Sequence, residues 1–405
     1  MADSNRTQLA FVEEASWGTT PATALTKVRF TDENMGFNVA HIASSEIRSD
    51  RQTTDLVQSG ADCSGGFGFE LSYGGCFHSF FEGALWNDWV GVGTGSTEEI
   101  TSGAAASGLE FTLNATADTI TLGATVTHGI VIGQWIELSG SDSDDGYHLV
   151  TDVSGQVITV NSTPGITVSE VLDNTDAATI RGSYLRNGTL EKNYTIERYH
   201  ADKGYYFPFL GMTCNSLSLT VTANAIVTGN FDFIGQSASA ATATAGSGAY
   251  AEATSNAVMN ALSNVADIME GSTLTELSGI YIQELNFTLN NNVRGQGAIG
   301  NLGYVDVGVG QMECTGGINV YFEDADLYTK YLNNTATGIS FKIEDSPTEG
   351  AGNAYIFTWP KVKFATNALN TTGSNTDVME NITWQAYRHS SAQDYTMQIC
   401  RVPVS

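Results

Sequence analysis

Basic residues are scarce in this chain of 405 residues: Lys and Arg together number 17 against 44 Asp and Glu, a formal net charge of −27. The acids are spread along the sequence and not gathered in a tail. That balance excludes nucleic-acid binding by phosphate neutralisation, which needs clustered Lys and Arg. It leaves two readings, a charge that keeps copies apart in solution or a surface that repels a polyanion. Cysteine is also sparse. Five residues, at 63, 76, 214, 314 and 400, form no CxxC, so neither a disulfide framework nor a zinc site is expected. They read as buried or half-buried thiols of a chain that folds in a reducing cytoplasm. No apolar run approaches the ~18 residues that span a bilayer. The opening MADSNRTQLAFVEEASWGTT is acidic and not apolar, so no secretory signal is expected. The Asn-x-Ser/Thr triplets at Asn187, Asn193 and Asn381 therefore read as chance and not as glycosylation sites.

Catalytic and cofactor motifs are equally thin. GQGAIG at 295–300 matches GxGxxG, but NLGYVDVGVG follows it where a dinucleotide site needs a helix. DSDDG at 142–146 imitates the start of a calcium loop without its bidentate Glu, and reads as a hairpin turn. The six histidines (41, 78, 128, 148, 200, 389) show no metal-ligand spacing, and His78 falls in an aromatic helix where packing is its expected role. No GxSxG elbow occurs. The pairs Glu13–Glu14 and Glu98–Glu99 read as solvated charge. The expectation is no enzyme, no cofactor and no metal.

What is present is alternation. Only six prolines, 43 glycines and many Thr, Val, Ile, Tyr and Phe indicate a mainly β chain. In NSLSLTVTAN, Leu217, Leu219 and Val221 share one face and Ser216, Ser218, Thr220 and Thr222 the other. In GIYIQELNFTLN, Leu285, Phe287 and Leu289 oppose Glu284, Asn286 and Thr288. Helical spacing is confined to 73–86, 324–334 and 257–270. A longer pattern then emerges. CSGGFGFELS (63–72) and CTGGINVYFE (314–323) lie 251 positions apart, and each precedes a short helix candidate and then three strand candidates in the same order. This reads as a tandem duplication of one β-rich unit. Paired glycines after each Cys allow a bulge or the close approach of a neighbouring strand.

The first copy is interrupted by short strands and turns that suit a small β domain. The expected organisation is a first unit over 1–92 and 183–235, an inserted β domain over 93–182, a small-residue linker with a short helix over 236–278, and a second unit over 279–405. Without the insert, two units of about 155 residues remain, an ordinary domain size.

SWGTTPATALTKVRFTDENM, the polar loop SSEIRSDRQ (44–52), AVMNALSNVADIMEG, LNFTLNNNVRGQ (285–296), INVYFEDADLYTKYLNN and FTWPKVKF together resemble the tail tube proteins of long-tailed phages with non-contractile tails. The resemblance spans nearly the whole chain apart from the insert. It implies two tandem β-sandwich or barrel units, each with a short helix, assembled into stacked rings. Where simple members use six copies of one unit, a duplicated chain would need three. It also implies a virion tail component assembled in the host cytoplasm, no membrane, and double-stranded DNA in transit but not tightly bound. Its partners would be other copies of itself and tape-measure, terminator and tail-tip proteins.

Two residue sets follow as expectations. The polar loops before each Cys strand would bridge ring to ring, through Glu46, Arg48, Asp50, Arg51 and Asp55 in residues 38–62 and Asn292, Arg294 and Gln296 in the second copy. Strand acids opposite an apolar face, Glu70, Glu197, Asp232 and Glu284, would line an acidic lumen. The competing readings are a β-rich adhesin or carbohydrate-binding virion protein, with Trp135 and Tyr147 of the insert as its binding face, and a glycan-degrading virion enzyme.

Overall fold

A computed structural model describes residues 3–94, 97–162, 165–262, 265–271, 274–276, 281–346, 352–371, 373–389 and 394–404. The fold is mainly β. Its principal strands are β1 (Thr7–Glu14), β2 (Gly36–Ala43), β3 (Leu56–Glu70), β4 (Asn193–His200), β5 (Tyr205–Thr222), β6 (Thr228–Gly235), β7 (Val265–Glu270), β8 (Ile282–Asn290), β9 (Glu313–Tyr321), β10 (Thr337–Glu344), β11 (Ala354–Asn370), β12 (Met379–Ala386) and β13 (Gln398–Val402). The helices α1 (Cys76–Leu85) and α2 (Asp326–Leu332) follow β3 and β9, as the sequence spacing predicts.

The period-2 segments become one continuous antiparallel sheet in the order β2-β3-β6-β5-β8-β9-β12-β11. The long strands β5 and β11 belong to two sheets. Their C-terminal halves lie in this inner sheet, while their N-terminal halves pair with β4 and β10 in outer sheets. A bulge at Cys214/Ser216 in β5, and another at Phe364/Thr366 in β11, marks each crossing. One extra residue bends and twists a strand, which lets it turn the corner of a sandwich.

The two halves share their register. Gly65 faces Phe233 and Phe67 faces Phe231; Gly316 faces Trp384 and Ile318 faces Ile382. The second bulge in each half also matches: Tyr194 and Ile196 pair Met212 and Phe209, as Thr337 and Ile339 pair Val362 and Trp359.

The core between the inner and outer sheets is one aromatic-rich cluster running through both halves. Helix α1 is buried inside it. Phe80 meets Phe11, Phe67, Tyr194, Phe231 and Phe233, and Phe81 meets Tyr355 and Phe357 of the second half. The helix can lie this close because Gly83 rests on the Tyr194 ring, where an added Cβ would come within 2.7 Å. Tyr194 Oη in turn donates to the Ser79 carbonyl at 2.5 Å. Burying each such Phe contributes roughly 1.5–3 kcal/mol. Helix α2 buries only Leu327.

Residues 99–181 form a separate eight-stranded sheet with its own core, including Phe111, Ile120, Ile136, Val150, Ile158 and Ile180. The chain enters it from Val90–Gly91 and leaves through Ser183–Tyr184, which pair with each other. Its Trp135, Tyr147 and Leu149 pack on Met269, Ile356, Cys400 and Val402, on the outer side of the second half.

Four expectations need correction. The helix expected over 257–270 is not formed: Val265–Glu270 is strand β7, paired along β10. Without β7 that flank of β10 would carry an unpaired edge, and tertiary pairing outweighs a weak helical pattern. The polar loop 38–62 is largely the hairpin β2–β3, with only 44–55 outside strands. DSDDG does join two antiparallel paired strands, Trp135–Ser139 and Gly146–Ser154, but through a longer connection than a tight turn. It lies in the connection 140–145, where the Asp144 carboxylate accepts bonds from Thr167 and Val168. Finally, the glutamate pairs are structural. Buried Glu14 accepts from Gly18 N, Thr195 Oγ1 and Gly211 N, Glu13 pairs with Lys192, Glu98 with Arg401 and Glu99 with Arg181. The boundary expected at 278–279 lies outside the described residues.

Candidate functional site

Alternation gives the inner sheet two unlike faces. Leu217, Leu219, Leu285, Phe287, Leu289, Phe231, Phe233, Ile318, Ile382 and Trp384 point into the core. The opposite face is a lattice of small polar side chains in rows across the strands. One row reads Glu70, Thr228, Thr220, Asn286, Gly317, Thr383 and Thr366. The next reads Gly68, Asn230, Ser218, Thr288, Thr315, Gln385 and Lys363. Each row crosses from the first half to the second without a break, because β5 pairs directly with β8.

Charge on this face is of nearly one sign. Asp32, Asp62, Glu70, Asp232, Glu284 and Glu313 lie on it, with Lys363 as the single base among its described strand residues. The carboxylates are held by neutral donors: Asp232 by Ser216 Oγ at 3.1 Å, Glu284 by Asn286 Nδ2 at 3.0 Å and Glu313 by Gln385 Nε2 at 3.1 Å. Such a surface offers hydroxyls, amides and scattered negative charge, and no cluster of bases to anchor a phosphate backbone.

The glycine pairs serve this sheet. An added Cβ on Gly316 would lie 2.2 Å from Trp384 Cζ2 and 2.4 Å from the Asn286 carbonyl oxygen. Gly65 has φ +133, and its Cβ would meet the Met35 backbone at 2.6 Å. Both are close approaches of a neighbouring strand. Cys63 and Cys314 beside them are buried, like the other three cysteines, and all five are free. Burial pushes the thiols of Cys63 and Cys314 up to about 12.

Of the expected lumen acids, Glu70, Asp232 and Glu284 lie on the polar face and Glu197 does not. Glu197 is fully buried in the first outer sheet, accepting from Thr244 Oγ1 (2.7 Å), Ala245 N (2.7 Å) and Tyr250 Oη (2.5 Å). It pins the small-residue segment 236–256 across that sheet and presents no charge to solvent. Sequence reading missed Asp32, Asp62 and Glu313, whose common face is set by pairing.

The two polar loops become two arms. The tip of β2–β3 carries Glu46, Arg48, Asp50, Arg51 and Asp55, all exposed, with Arg48 paired to Asp50 at 2.7 Å. The second arm is a hairpin of Arg294–Gly297 with Tyr304–Gly308, which also disposes of GQGAIG as a phosphate loop. It begins at Asn292, which has φ 51 and donates to the Gln311 carbonyl, and it carries Arg294 and Gln296. The tip end of the second arm lies against the base of the first, where Ala61 N donates to Leu302 O at 2.7 Å and Tyr304 Oη to Asp62 at 3.1 Å. Exposed apolar residues unnoticed in the sequence stud them: Ile42, Ile47, Leu56 and Val57 on the first, Ile299 and Leu302 on the second.

Nothing in the described residues resembles a catalytic constellation. No group of three or more potential metal ligands occurs among them, and burial holds the imidazole of His78 down to about 3 between Tyr73, Trp89 and Tyr355. Trp135 and Tyr147, the binding face of the adhesin reading, are buried against the second half, at 1% and 6% exposure. No helix among the described residues is long and apolar enough to cross a membrane.

A comparison with curated proteins found no match. The model of one protein family, described as phage tail tube protein, matches residues 4–386. With that match covering nearly its whole length, this chain belongs to the phage tail tube protein family.

Proposed function

We propose that three copies of this chain close into a pseudo-sixfold ring, that rings stack into the tube of a non-contractile tail, and that the polar face of the inner sheet lines the channel for double-stranded DNA. The observation that carries this reading is the unbroken eight-strand inner sheet. The matched registers of its halves support a tandem duplication, with residues 99–181 as an insertion on the outer side.

The register also supports a size. Along the row from Glu70, four strands lead to Gly317, which holds in β9 the place Gly66 holds in β3. The sheet therefore slips four residues per four strands, so strand number and shear are equal in a closed barrel. With about 3.3 Å rise per residue and about 4.8 Å between strands, the tilt is about 35°. Three chains supply about 24 strands and a backbone radius of about 22 Å. Side chains about 5 Å deep leave a bore of about 35 Å. A duplex is roughly 20 Å across, the sum of groove depths of about 8.5 and 7.5 Å and the base-pair core between their floors. The gap of about 7 Å on each side is close to the Debye length of about 8 Å at physiological salt. The wall acids then act on DNA only when it nears the wall, preventing adhesion without opposing passage.

The two arms, which mix exposed charged and polar residues with exposed apolar ones such as Ile47 and Ile299, bridge successive rings in this reading. The rings give a heterologous contact that closes, the arms one that does not. A tape-measure protein, a terminator and tail-tip proteins are the partners it implies.

The test is a set of lumen reversals, Glu70→Lys, Asp232→Lys, Glu284→Lys and Glu313→Lys combined. Tubes seen by electron microscopy should persist, and DNA ejection from virions carrying them should slow and become salt-dependent. Unchanged ejection through intact tubes would remove the channel assignment.

A further inference from the structure

The inner sheet ends in two free edges. β2 pairs only with β3, and Asp32–Glu33 likewise only with β3, so among the described residues no strand lies along the far side of residues 30–43, where the Met35 N–H is held by the Glu33 carboxylate at 3.1 Å. At the other end, β11 from Lys363 to Asn370 pairs only with β12. All eight strands are antiparallel to their neighbours, so β2 and β11 run in opposite directions. A second copy can therefore add its β2 edge to β11 in the same antiparallel sense.

The chain contains the template for that contact. The junction between its own halves is β5 against β8. β5 occupies the place of β11, as the paired bulges show. β8 occupies the place of residues 30–38: Leu289 and Leu285 face Cys314 and Ile318, as Phe37 and Glu33 face Cys63 and Phe67. Transferring the junction residue by residue converts Ser216↔Asn290 into Thr366↔Asn38 and Leu219↔Phe287 into Leu369↔Met35.

We propose that β11 of one copy takes residues 34–38 of a second copy as its next strand, in the register Thr366 to Asn38, Ala368 to Gly36 and Asn370 to Asn34. This rests on the ring reading above and names the seam by which the ring closes. The seam continues the polar rows, whereas a slip of one residue would turn the neighbour's polar face toward the core. Leu369, 42% exposed in the isolated chain, takes the place held by the fully buried Leu219. The seam is more polar than its template, with Asn367 and Thr371 where Leu217 and Val221 stand. A less apolar edge keeps free copies from pairing indiscriminately before assembly.

The experiment uses the full chain carrying Asn38→Cys and Thr366→Cys, oxidised after assembly. Opposed Cα atoms about 4.5–5.5 Å apart suit a disulfide, while diagonal neighbours about 7–8 Å apart do not. Non-reducing gels should show chains linked up to trimers, about tenfold more than for the shifted pair Asn38→Cys with Ala368→Cys. The five native thiols are buried and give a low background. Mixing the two single variants should give linked dimers, which guards against a double variant that fails to assemble. Rings in which the shifted pair links instead, or in which neither links, overturn the seam while the ring reading stands. Absence of rings from the unaltered chain overturns both.

Discussion

Gly316→Ala probes the packing that lets one sheet run through both halves. The added methyl would sit 2.2 Å from Trp384 Cζ2 and 2.4 Å from the Asn286 carbonyl oxygen. Ordinary contact between carbon atoms is about 3.5–4.0 Å, so more than 1 Å must be recovered on two sides at once. The indole is itself wedged against Trp359, with ring centroids 5.0 Å apart, and the carbonyl belongs to the paired strand β8. Overpacking of this kind costs roughly 1–3 kcal/mol, and a backbone clash places it at the upper end, about 3 kcal/mol. Trp384→Phe removes the indole clash and leaves the carbonyl, so the double variant should recover only part of the loss. Denaturant unfolding of the unassembled chain measures all three variants, and the cycle gives the coupling. Gly65→Ala should be as damaging for another reason, its left-handed φ and the Met35 backbone, and no side-chain trimming should rescue it. A Gly316→Ala chain within about 0.5 kcal/mol of the parent would refute the close-approach account of the glycine pairs.

Three other outcomes follow from named contacts. Glu137, in the insert where it faces the second half, is pushed up to about 7 by burial, with Arg181 at 3.7 Å opposing and the Glu344 and Asp145 charges reinforcing the shift. Because its folded value lies above its unfolded one, stability should fall as pH rises from about 4.5 to 7. After allowance for partial screening the loss is about 1–2 kcal/mol, and Glu137→Gln should flatten that slope in melting curves taken between pH 5 and 8. Replacing Arg48 and Arg51 with Glu should leave the chain folded by circular dichroism and block tube growth; normal tubes would remove ring bridging from the first arm. Native protein should react negligibly with a thiol reagent at pH 8, since burial raises Cys63, Cys314 and Cys400 to about 12 and Cys76 to about 11, whereas denatured chain should titrate all five.

The strands around Leu217–Val221 and Leu285–Leu289 were legible because a half-buried sheet imposes a period of two on the sequence itself. The same holds for α1, whose aromatic spacing reflects a helix buried in a core. The 257–270 segment was misread because its placement depends on an edge of β10, some 70 residues away, and no local pattern carries that information. Glu197 was misread for a related reason. Its alternation is correct, but the side chain that faces away from one core is covered by residues 244–250. The arms illustrate both cases, their polarity visible in sequence and their strand pairing and exposed isoleucines not.

By itself the sequence determined what local and compositional rules can reach: a β-rich chain poor in positive charge, a motif repeated 251 positions apart and the resemblance those segments carry. Tertiary structure alone decided which acids share a face, which glutamates are buried ligands of loops, and where the sheet stops. Strand pairing joins residues hundreds of positions apart, so the side chains on the polar face become neighbours only through hydrogen bonds between distant backbones.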